Sequence, residues 1–164
     1  MQGNGMLMSD SGYLYKGHWL DSLQHGYGEE IWPDGSMYKG DFKKGFKSGH
    51  GEFIWPGRNR YVGQFKNDEL HGYGTFEWDT GNRYEGNWSQ NTMNGQGKFT
   101  WKDGSVYEGG YANGKKDGFG CLIEPSSSRY EGYWKSGLKE GKGFFYSSSN
   151  QRTSCAWLND KIVE

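Results

Sequence analysis

The chain has 164 residues and a formal net charge of −1, and its 29 glycines are matched by 8 Trp, 12 Tyr and 9 Phe. A near-neutral chain sets up no overall field that would attract nucleic acid or an anionic membrane, and the aromatic content argues against intrinsic disorder. No apolar run approaches the roughly 20 residues of a membrane span, and the N-terminus lacks a signal-peptide pattern. Because Cys121 and Cys155 are far apart and match no metal or redox spacing, we expect a reduced, cytoplasmic setting.

Residues 1–14 begin with a Gly-x-Gly pair, Gly3 and Gly5, which recurs 23 residues later as Gly26 and Gly28. This segment therefore matches the second half of a repeat whose first half is absent. A strand formed here is expected to present an unpaired edge, which can template pairing with another strand. We expect the protein to continue, self-associate or dock with a partner at this edge.

From residue 15 onward the sequence repeats with a period of 23 residues and no insertion. A Tyr opens each repeat in the pattern Tyr-x-Gly-x-aromatic, and a Gly-x-Gly begins eleven residues after that Tyr. The predicted domain is a single array over residues 1–164. It consists of the half repeat 1–14, six repeats at 15–37, 38–60, 61–83, 84–106, 107–129 and 130–152, and a degenerate C-terminal cap at 153–164.

Each repeat predicts two β-strands, because residues i, i+2 and i+4 of a strand share a face. Tyr15, Gly17 and Trp19 then lie on one face, and the same rule places rings and glycines together in the second half of each repeat. A six-residue connector such as 20–25 is expected within a repeat, and a tight Asp-Gly turn such as 33–36 between repeats. The predicted fold class is all-β: a single-layer, elongated, twisted antiparallel β-meander without helices.

The repeated motif resembles the MORN (membrane occupation and recognition nexus) repeat. The segments 84–88 (YEGNW) and 68–74 (DELHGYG) lie close to the family consensus, and the resemblance covers essentially the whole chain. The resemblance implies a non-catalytic scaffold or adaptor that holds partner proteins at cytoskeletal, ciliary or membrane-junction sites. It also implies a possible role at phosphoinositide-containing membranes, a function often discussed for the family.

A stripe of rings on the aromatic and glycine face is the first candidate site. An exposed apolar stripe on a sheet suits a partner helix or an extended peptide. The alternative is that neighbouring rings and glycines cover one another and leave no groove, and the residues do not decide between the two. The candidate partner-binding residues are Trp32, Phe53, Trp55, Phe76, Trp78, Phe99 and Trp101.

Basic residues concentrated in the second repeat form the second candidate site. Six cations face only Asp41 and Glu52 within residues 38–60. They suit an acidic partner or an anionic lipid headgroup, or else they form a solvated loop that keeps an aromatic sheet soluble, which is the reading that the sequence favours. The candidate residues are Lys39, Lys43, Lys44, Lys47, Arg58 and Arg60.

Catalytic, nucleotide and metal sites are not predicted. Residues 109–116 nearly match a phosphate-binding loop, but the final Ser or Thr is missing and no helix is predicted to follow. His25 and His71 occupy equivalent repeat positions, which places them along the array instead of around one metal. We therefore expect a protein that is not an enzyme, with no cofactor, no metal, no small-molecule substrate and no nucleic-acid partner.

Overall fold

A computed structural model describes residues 2–163, which form fifteen β-strands and no helix. Met1 and Glu164, the two ends of the predicted array, lie outside the described residues. The chain divides into two compact units. Unit 1 contains the chain up to Asp79 together with Ser89–Asn91, and unit 2 contains Thr80–Trp88 together with the chain from Thr92 onward.

Unit 1 is an antiparallel meander in which every strand lies beside the strand that precedes it in the sequence. Glycines face glycines across neighbouring strands, as in the pairs Gly17 with Gly28 and Gly28 with Gly40. Its strands are β1 (Gly3–Met8), β2 (Leu14–Leu20), β3 (Leu23–Ile31), β4 (Met37–Lys43), β5 (Phe46–Ile54), β6 (Arg60–Lys66) and β7 (Glu69–Glu77).

Unit 2 repeats the same antiparallel arrangement from β9 onward. Its strands are β8 (Arg83–Ser89, of which Ser89 is grouped with unit 1), β9 (Thr92–Thr100), β10 (Val106–Ala112), β11 (Lys115–Ile123), β12 (Arg129–Lys135), β13 (Leu138–Tyr146), β14 (Arg152–Leu158) and β15 (Lys161–Ile162). The all-β antiparallel meander with about two strands per repeat is therefore confirmed.

The connector within each repeat is shorter than the sequence analysis predicted, and the six-residue estimate is wrong. β2 ends at Leu20 and β3 begins at Leu23, so only Asp21 and Ser22 separate the strands. Both residues have positive φ, 51° and 62°, as a two-residue type I′ hairpin turn requires. Leu20 pairs with Leu23, so the two strands stay paired up to the turn. Most residues of the expected connector therefore belong to the strands.

Turns between repeats use the predicted glycine. In the turn after β3, Gly35 has a φ of 87°, and the Trp32 amide donates to the Ser36 carbonyl at 2.9 Å. In the last two repeats Ser127 and Asn150 hold the same position with φ values of 67° and 63°. The turn geometry is thus kept where glycine is lost, at the modest cost that a left-handed conformation imposes on other residues.

The tyrosine that opens each repeat lies flat over a glycine pair. Tyr38 is 1% exposed, and a Cβ added to Gly51 would lie 2.6 Å from its Cε2 atom. Glycine is required beneath the ring because any side chain would collide with it. The rings of Phe42 and Phe65 flank Tyr38 edge-on, with centroids 5.1 Å away, in the geometry that aromatic pairs favour.

The tyrosine hydroxyl also stabilises an irregularity in the sheet. Gly40 pairs with Gly51 and Phe42 pairs with Lys47, so the regular pairing of the two backbones is interrupted at Asp41. Tyr38 Oη donates a hydrogen bond to the Asp41 carbonyl at 3.0 Å, which satisfies a backbone acceptor near this break. The equivalent bond recurs from the tyrosine of every full repeat to the carbonyl three residues later: Tyr15 to His18, Tyr61 to Gln64, Tyr84 to Asn87, Tyr107 to Gly110 and Tyr130 to Tyr133.

Candidate functional site

Five of the predicted partner-binding rings form a continuous row in unit 1, which we call the ring ladder: Trp32, Phe53, Trp55, Phe76 and Trp78. Successive ring centroids lie 5.4, 4.3, 5.3 and 4.5 Å apart in that order. Each Trp of the ladder is the first residue after a strand: Trp32 follows β3, Trp55 follows β5 and Trp78 follows β7. The ladder therefore runs across the ends of the strands, on the side of the sheet where the turns between repeats lie.

The rings of the ladder are partly exposed, whereas the tyrosines of the same face are buried. Phe53 contacts Tyr38 at a centroid distance of 6.3 Å, so both rows belong to one aromatic face. Neighbouring rings cover part of one another's surface, but the remaining part of each ring stays exposed. A row of accessible ring surface remains along unit 1.

The two remaining predicted rings, Phe99 and Trp101, lie in unit 2. Their centroids are 4.6 Å apart and both side chains are partly exposed. The ammonium group of Lys116 lies 5.0 Å from the centre of the Trp101 ring, within cation–π range. In unit 2 the candidate rings are therefore associated with a cation.

The structure does not bring the six basic candidate residues together. Lys39 Nζ lies 2.7 Å from Glu29 Oε1, and Arg60 lies 2.6 Å from Glu52 and 3.3 Å from Glu77. These carboxylates neutralise two of the six cations within unit 1. Lys43 and Lys44 are exposed at the β4–β5 hairpin, and Arg58 is exposed in the turn at the other end of β5.

Lys47 points onto the aromatic face instead of joining Lys43 and Lys44. Its side chain is 13% exposed, its Nζ atom lies 3.0 Å from Glu30 Oε2 and 3.6 Å from Asp68, and it lies over the Trp32 ring at 4.9 Å. Glu30 is buried and also accepts hydrogen bonds from Tyr13 Oη at 2.6 Å and from Gln24 at 2.8 Å. Burial and the bond to Glu30 raise the pKa of Tyr13, which keeps its hydroxyl protonated as a donor.

Exposed rings on the opposite face received no role in the sequence analysis. Tyr27 and Tyr73 in unit 1 are 55% and 54% exposed, and Phe119 and Tyr133 in unit 2 are 59% and 55% exposed. Tyr27, Tyr73 and Phe119 share the central position of Gly-x-Gly, so the period of 23 could have identified them. Phe119 and Tyr133 pack edge-on, with ring centroids 5.6 Å apart.

Residues 2–163 contain no group of three or more His, Cys, Asp and Glu side chains that could hold a metal ion. They also contain no helix with the length and apolarity needed to cross a membrane.

The family model of the MORN repeat matches six consecutive segments of this chain, residues 15–37, 38–60, 61–83, 84–106, 107–129 and 130–152. The chain belongs to the MORN repeat family. The matched segments coincide with the repeats read from the sequence period, and in each of them the opening tyrosine lies over glycines of its own MORN repeat. No curated protein sequence matches the chain.

Two solved structures are similar to this MORN array at low sequence identity. The TCP domain of SAS-4 (dCPAP) from Drosophila melanogaster, solved in complex with a proline-rich motif of Ana2 (dSTIL), is 8% identical. The match covers 94% of this chain and 84% of that chain, with a TM-score of 0.58. The TCP10 domain of Danio rerio CPAP, solved with a STIL peptide, is 11% identical over 99% of this chain and 93% of that chain, with a TM-score of 0.41. At 8% identity the likeness to the SAS-4 domain concerns the fold alone.

Proposed function

We propose that this MORN array is a non-catalytic scaffold or adaptor that binds a helix or an extended peptide of a partner protein along its aromatic face. The observation that carries the proposal is the ring ladder of unit 1, Trp32 to Trp78, in which five partly exposed rings lie within 5.4 Å of their neighbours. Phe99 and Trp101 supply the corresponding surface in unit 2. Membership of the MORN family suggests a cytoplasmic assembly at a cytoskeletal, ciliary or membrane-junction site.

The chemistry of the ladder favours a protein partner. Aromatic residues are enriched at protein interfaces because each ring buries a large area while losing little side-chain entropy. The underlying tyrosine row fixes the position of the ladder, since Tyr38 packs between Phe42, Phe53 and Phe65. A prearranged row of rings binds at a lower entropic cost than mobile side chains do. The SAS-4 domain of similar fold, solved with a proline-rich motif, supports an extended segment as the occupant.

The experiment replaces Trp55 and Trp78 by Ser and compares this variant with one in which Tyr27 and Tyr73 on the opposite face are replaced by Ser. Both variants lose two exposed rings from unit 1, but only the first interrupts the ladder. Affinity capture followed by mass spectrometry identifies proteins retained by the parent chain, and calorimetry then measures their dissociation constants. We expect the ladder variant to bind at least about thirtyfold more weakly, as hot-spot rings of about 2 kcal/mol imply.

The control variant is expected to bind like the parent, and both variants should keep the parent's circular dichroism spectrum. Unchanged binding by a folded ladder variant would refute the proposal. The alternative function, binding of anionic lipid headgroups by the basic second repeat, would gain support if the parent floated with anionic liposomes and lost this on charge reversal of Lys43 and Lys44. Self-association through β1 stays a prediction, checked by the oligomeric state of the purified chain.

A further inference from the structure

The residue at one particular position of each MORN repeat extends its side chain over the aromatic face. This residue lies opposite the last ring of the Tyr-x-Gly-x-aromatic motif: Lys47 faces Phe42, Lys116 faces Tyr111 and Lys139 faces Trp134. Cross-strand partners share a face of the sheet, so these side chains extend over the aromatic layer. The residues at this position are Gln24, Lys47, Leu70, Met93, Lys116 and Lys139.

Lys47 in unit 1 shows how a cation at this position is neutralised. Its ammonium group lies over the rings of Trp32 and Tyr38, and Glu30 and Asp68 lie 3.0 and 3.6 Å away. Both the ring faces and the carboxylates are therefore supplied by the chain itself. This arrangement has no remaining charge to offer an anionic ligand.

Lys116 in unit 2 has the rings without the carboxylates. Its Nζ atom lies 4.4 Å from the centre of the Trp134 ring, 5.0 Å from Trp101 and 5.2 Å from Tyr107. At the repeat positions that hold Glu30 and Asp68 around Lys47, the residues around Lys116 are Phe99 and Gly137. Within the described part of the chain, Lys116 forms no ion pair within 4.0 Å.

Among the described residues, the carboxylates near this ammonium group accept backbone amides and form no ion pair with it. Burial lowers the pKa of Lys116, Asp160 opposes the shift at longer range, and Lys139 adds to it. Asp160 Oδ1 already accepts the Lys139 amide at 2.6 Å, and Asp117 Oδ2 accepts the Ser136 amide at 3.2 Å. A half-buried cation held by ring faces alone is one that a carboxylate within hydrogen-bond distance would stabilise.

A depression of about 260 Å³ lies beside Lys116, wide enough for a side chain. Met93, Phe99 and Trp101 provide an apolar wall, and the rest of the lining comes from Tyr111, Gly114, Lys115, Lys116 and Gly137. The absence of a side chain at Gly137 leaves open the place that Asp68 occupies beside Lys47. The depression is thus complementary to a carboxylate whose flanking atoms are apolar.

We propose that the Lys116 depression binds an Asp or Glu side chain of an extended partner peptide, with a neighbouring apolar side chain of that peptide packed on Met93, Phe99 and Trp101. This inference rests on the proposed protein-binding function and names the chemistry of the partner at one point of its surface. The carboxylate accepts from Lys116 Nζ and takes the place that Asp68 takes beside Lys47. The charge is then neutralised by the partner instead of by the chain.

The test selects random dodecapeptides displayed on phage against the full chain, in parallel against Lys116→Met and Lys142→Met. Methionine is the natural residue at the equivalent position Met93, so Lys116→Met is expected to fold. Lys142→Met removes the same charge from an exposed position at the centre of Gly-x-Gly on the opposite face. The parent and Lys142→Met are expected to enrich peptides with an Asp or Glu beside an apolar residue, and Lys116→Met is expected to lose that enrichment.

A selected peptide and its Glu→Gln or Asp→Asn version are then measured by fluorescence polarisation. Removing the carboxylate should weaken binding to the parent about tenfold, which corresponds to about 1.4 kcal/mol, and should change binding to Lys116→Met less than about twofold. Peptides enriched without acidic residues, or an acidic preference retained by Lys116→Met, would overturn this inference and leave the proposed function standing. If the parent selects no peptides, this inference is refuted, and the proposed function is decided by the capture experiment with the ladder variant. Lys116-dependent binding to phosphatidylserine vesicles without peptide binding would assign the depression to lipid and also overturn it.

Discussion

Two rows of aromatic rings on the same face of unit 1 have different surroundings. Tyr15, Tyr38 and Tyr61 lie over paired glycines and are at most 1% exposed, whereas the rings of the ladder from Trp32 to Trp78 pack beside one another and stay partly exposed. The tyrosine row holds neighbouring strands together, and the ladder presents an apolar surface. The difference indicates that glycine, by allowing a ring to lie flat on the backbone, permits the complete burial of the tyrosines, while the rings of the ladder keep part of their surface exposed.

The largest expected effect comes from ionising the buried tyrosine row. Burial is the main cause that raises the pKa of Tyr15 and of Tyr130 to about 12, and it also raises the pKa of Tyr38, Tyr61 and Tyr107. Tyrosine in the unfolded chain ionises near pH 10. Because the folded-state pKa is raised, the stabilisation is complete below about pH 10 and is lost as the pH rises through about 12.

Urea unfolding at a series of pH values, with tyrosinate absorbance recorded in parallel, measures this loss. We expect the urea midpoint to fall between about pH 10 and pH 12, and the buried tyrosines to ionise only as the chain unfolds. A midpoint that stays constant over this range would contradict the burial of the row.

A smaller effect separates the two rows directly. Tyr38→Ala removes a buried ring and its hydrogen bond to Asp41, and we expect it to lower the free energy of unfolding by about 3–5 kcal/mol. Trp55→Ala removes a partly exposed ring of the ladder and should cost about 1–2 kcal/mol, because only part of the ring area is withdrawn from water. Urea denaturation of both variants makes the comparison, and equal losses would show that the two rows do not differ in structural role.

The smallest effect tests the contact between ring and glycine. A Cβ at Gly51 would lie 2.6 and 2.7 Å from Tyr38 Cε2 and Cζ, so Gly51→Ala should cost about 1–3 kcal/mol by overpacking. In a Tyr38→Ala background the same substitution should cost less than about 1 kcal/mol, because the ring is gone. The double-mutant cycle is measured by urea unfolding, and additive losses would indicate that Gly51 is required for another reason.

Much of the fold could be predicted from the period alone. The period of 23 residues, the alternation along each strand and the glycines between repeats predicted the antiparallel meander, and the MORN family model matches six consecutive segments across residues 15–152. The connector length could not be predicted, because residues such as Asp21 and Ser22 carry no side-chain signal that distinguishes a two-residue turn from a longer loop. Only their positive φ values and the pairing of Leu20 with Leu23 show it.

The candidate site was predictable in composition but not in environment. The seven rings could be named from their repeat positions, yet their exposure depends on rings contributed by the following MORN repeats. Lys43 and Lys47 are four residues apart in sequence, but the β4–β5 turn leaves Lys43 exposed and directs Lys47 onto the aromatic face. Grouping these cations by sequence proximity overlooked the face on which each one lies.

The sequence by itself determined the strands, their order along the chain and the residues that share a face, because these follow from local periodicity and from the backbone preferences of glycine. The tertiary structure decided the surroundings of each side chain. Lys47 and Lys116 occupy the same position of the repeat, yet one is neutralised by Glu30 and Asp68, and the other lies over three rings with no carboxylate of residues 2–163 in contact. Electrostatic environment is set by neighbours contributed by other strands, and only the folded chain brings those neighbours together.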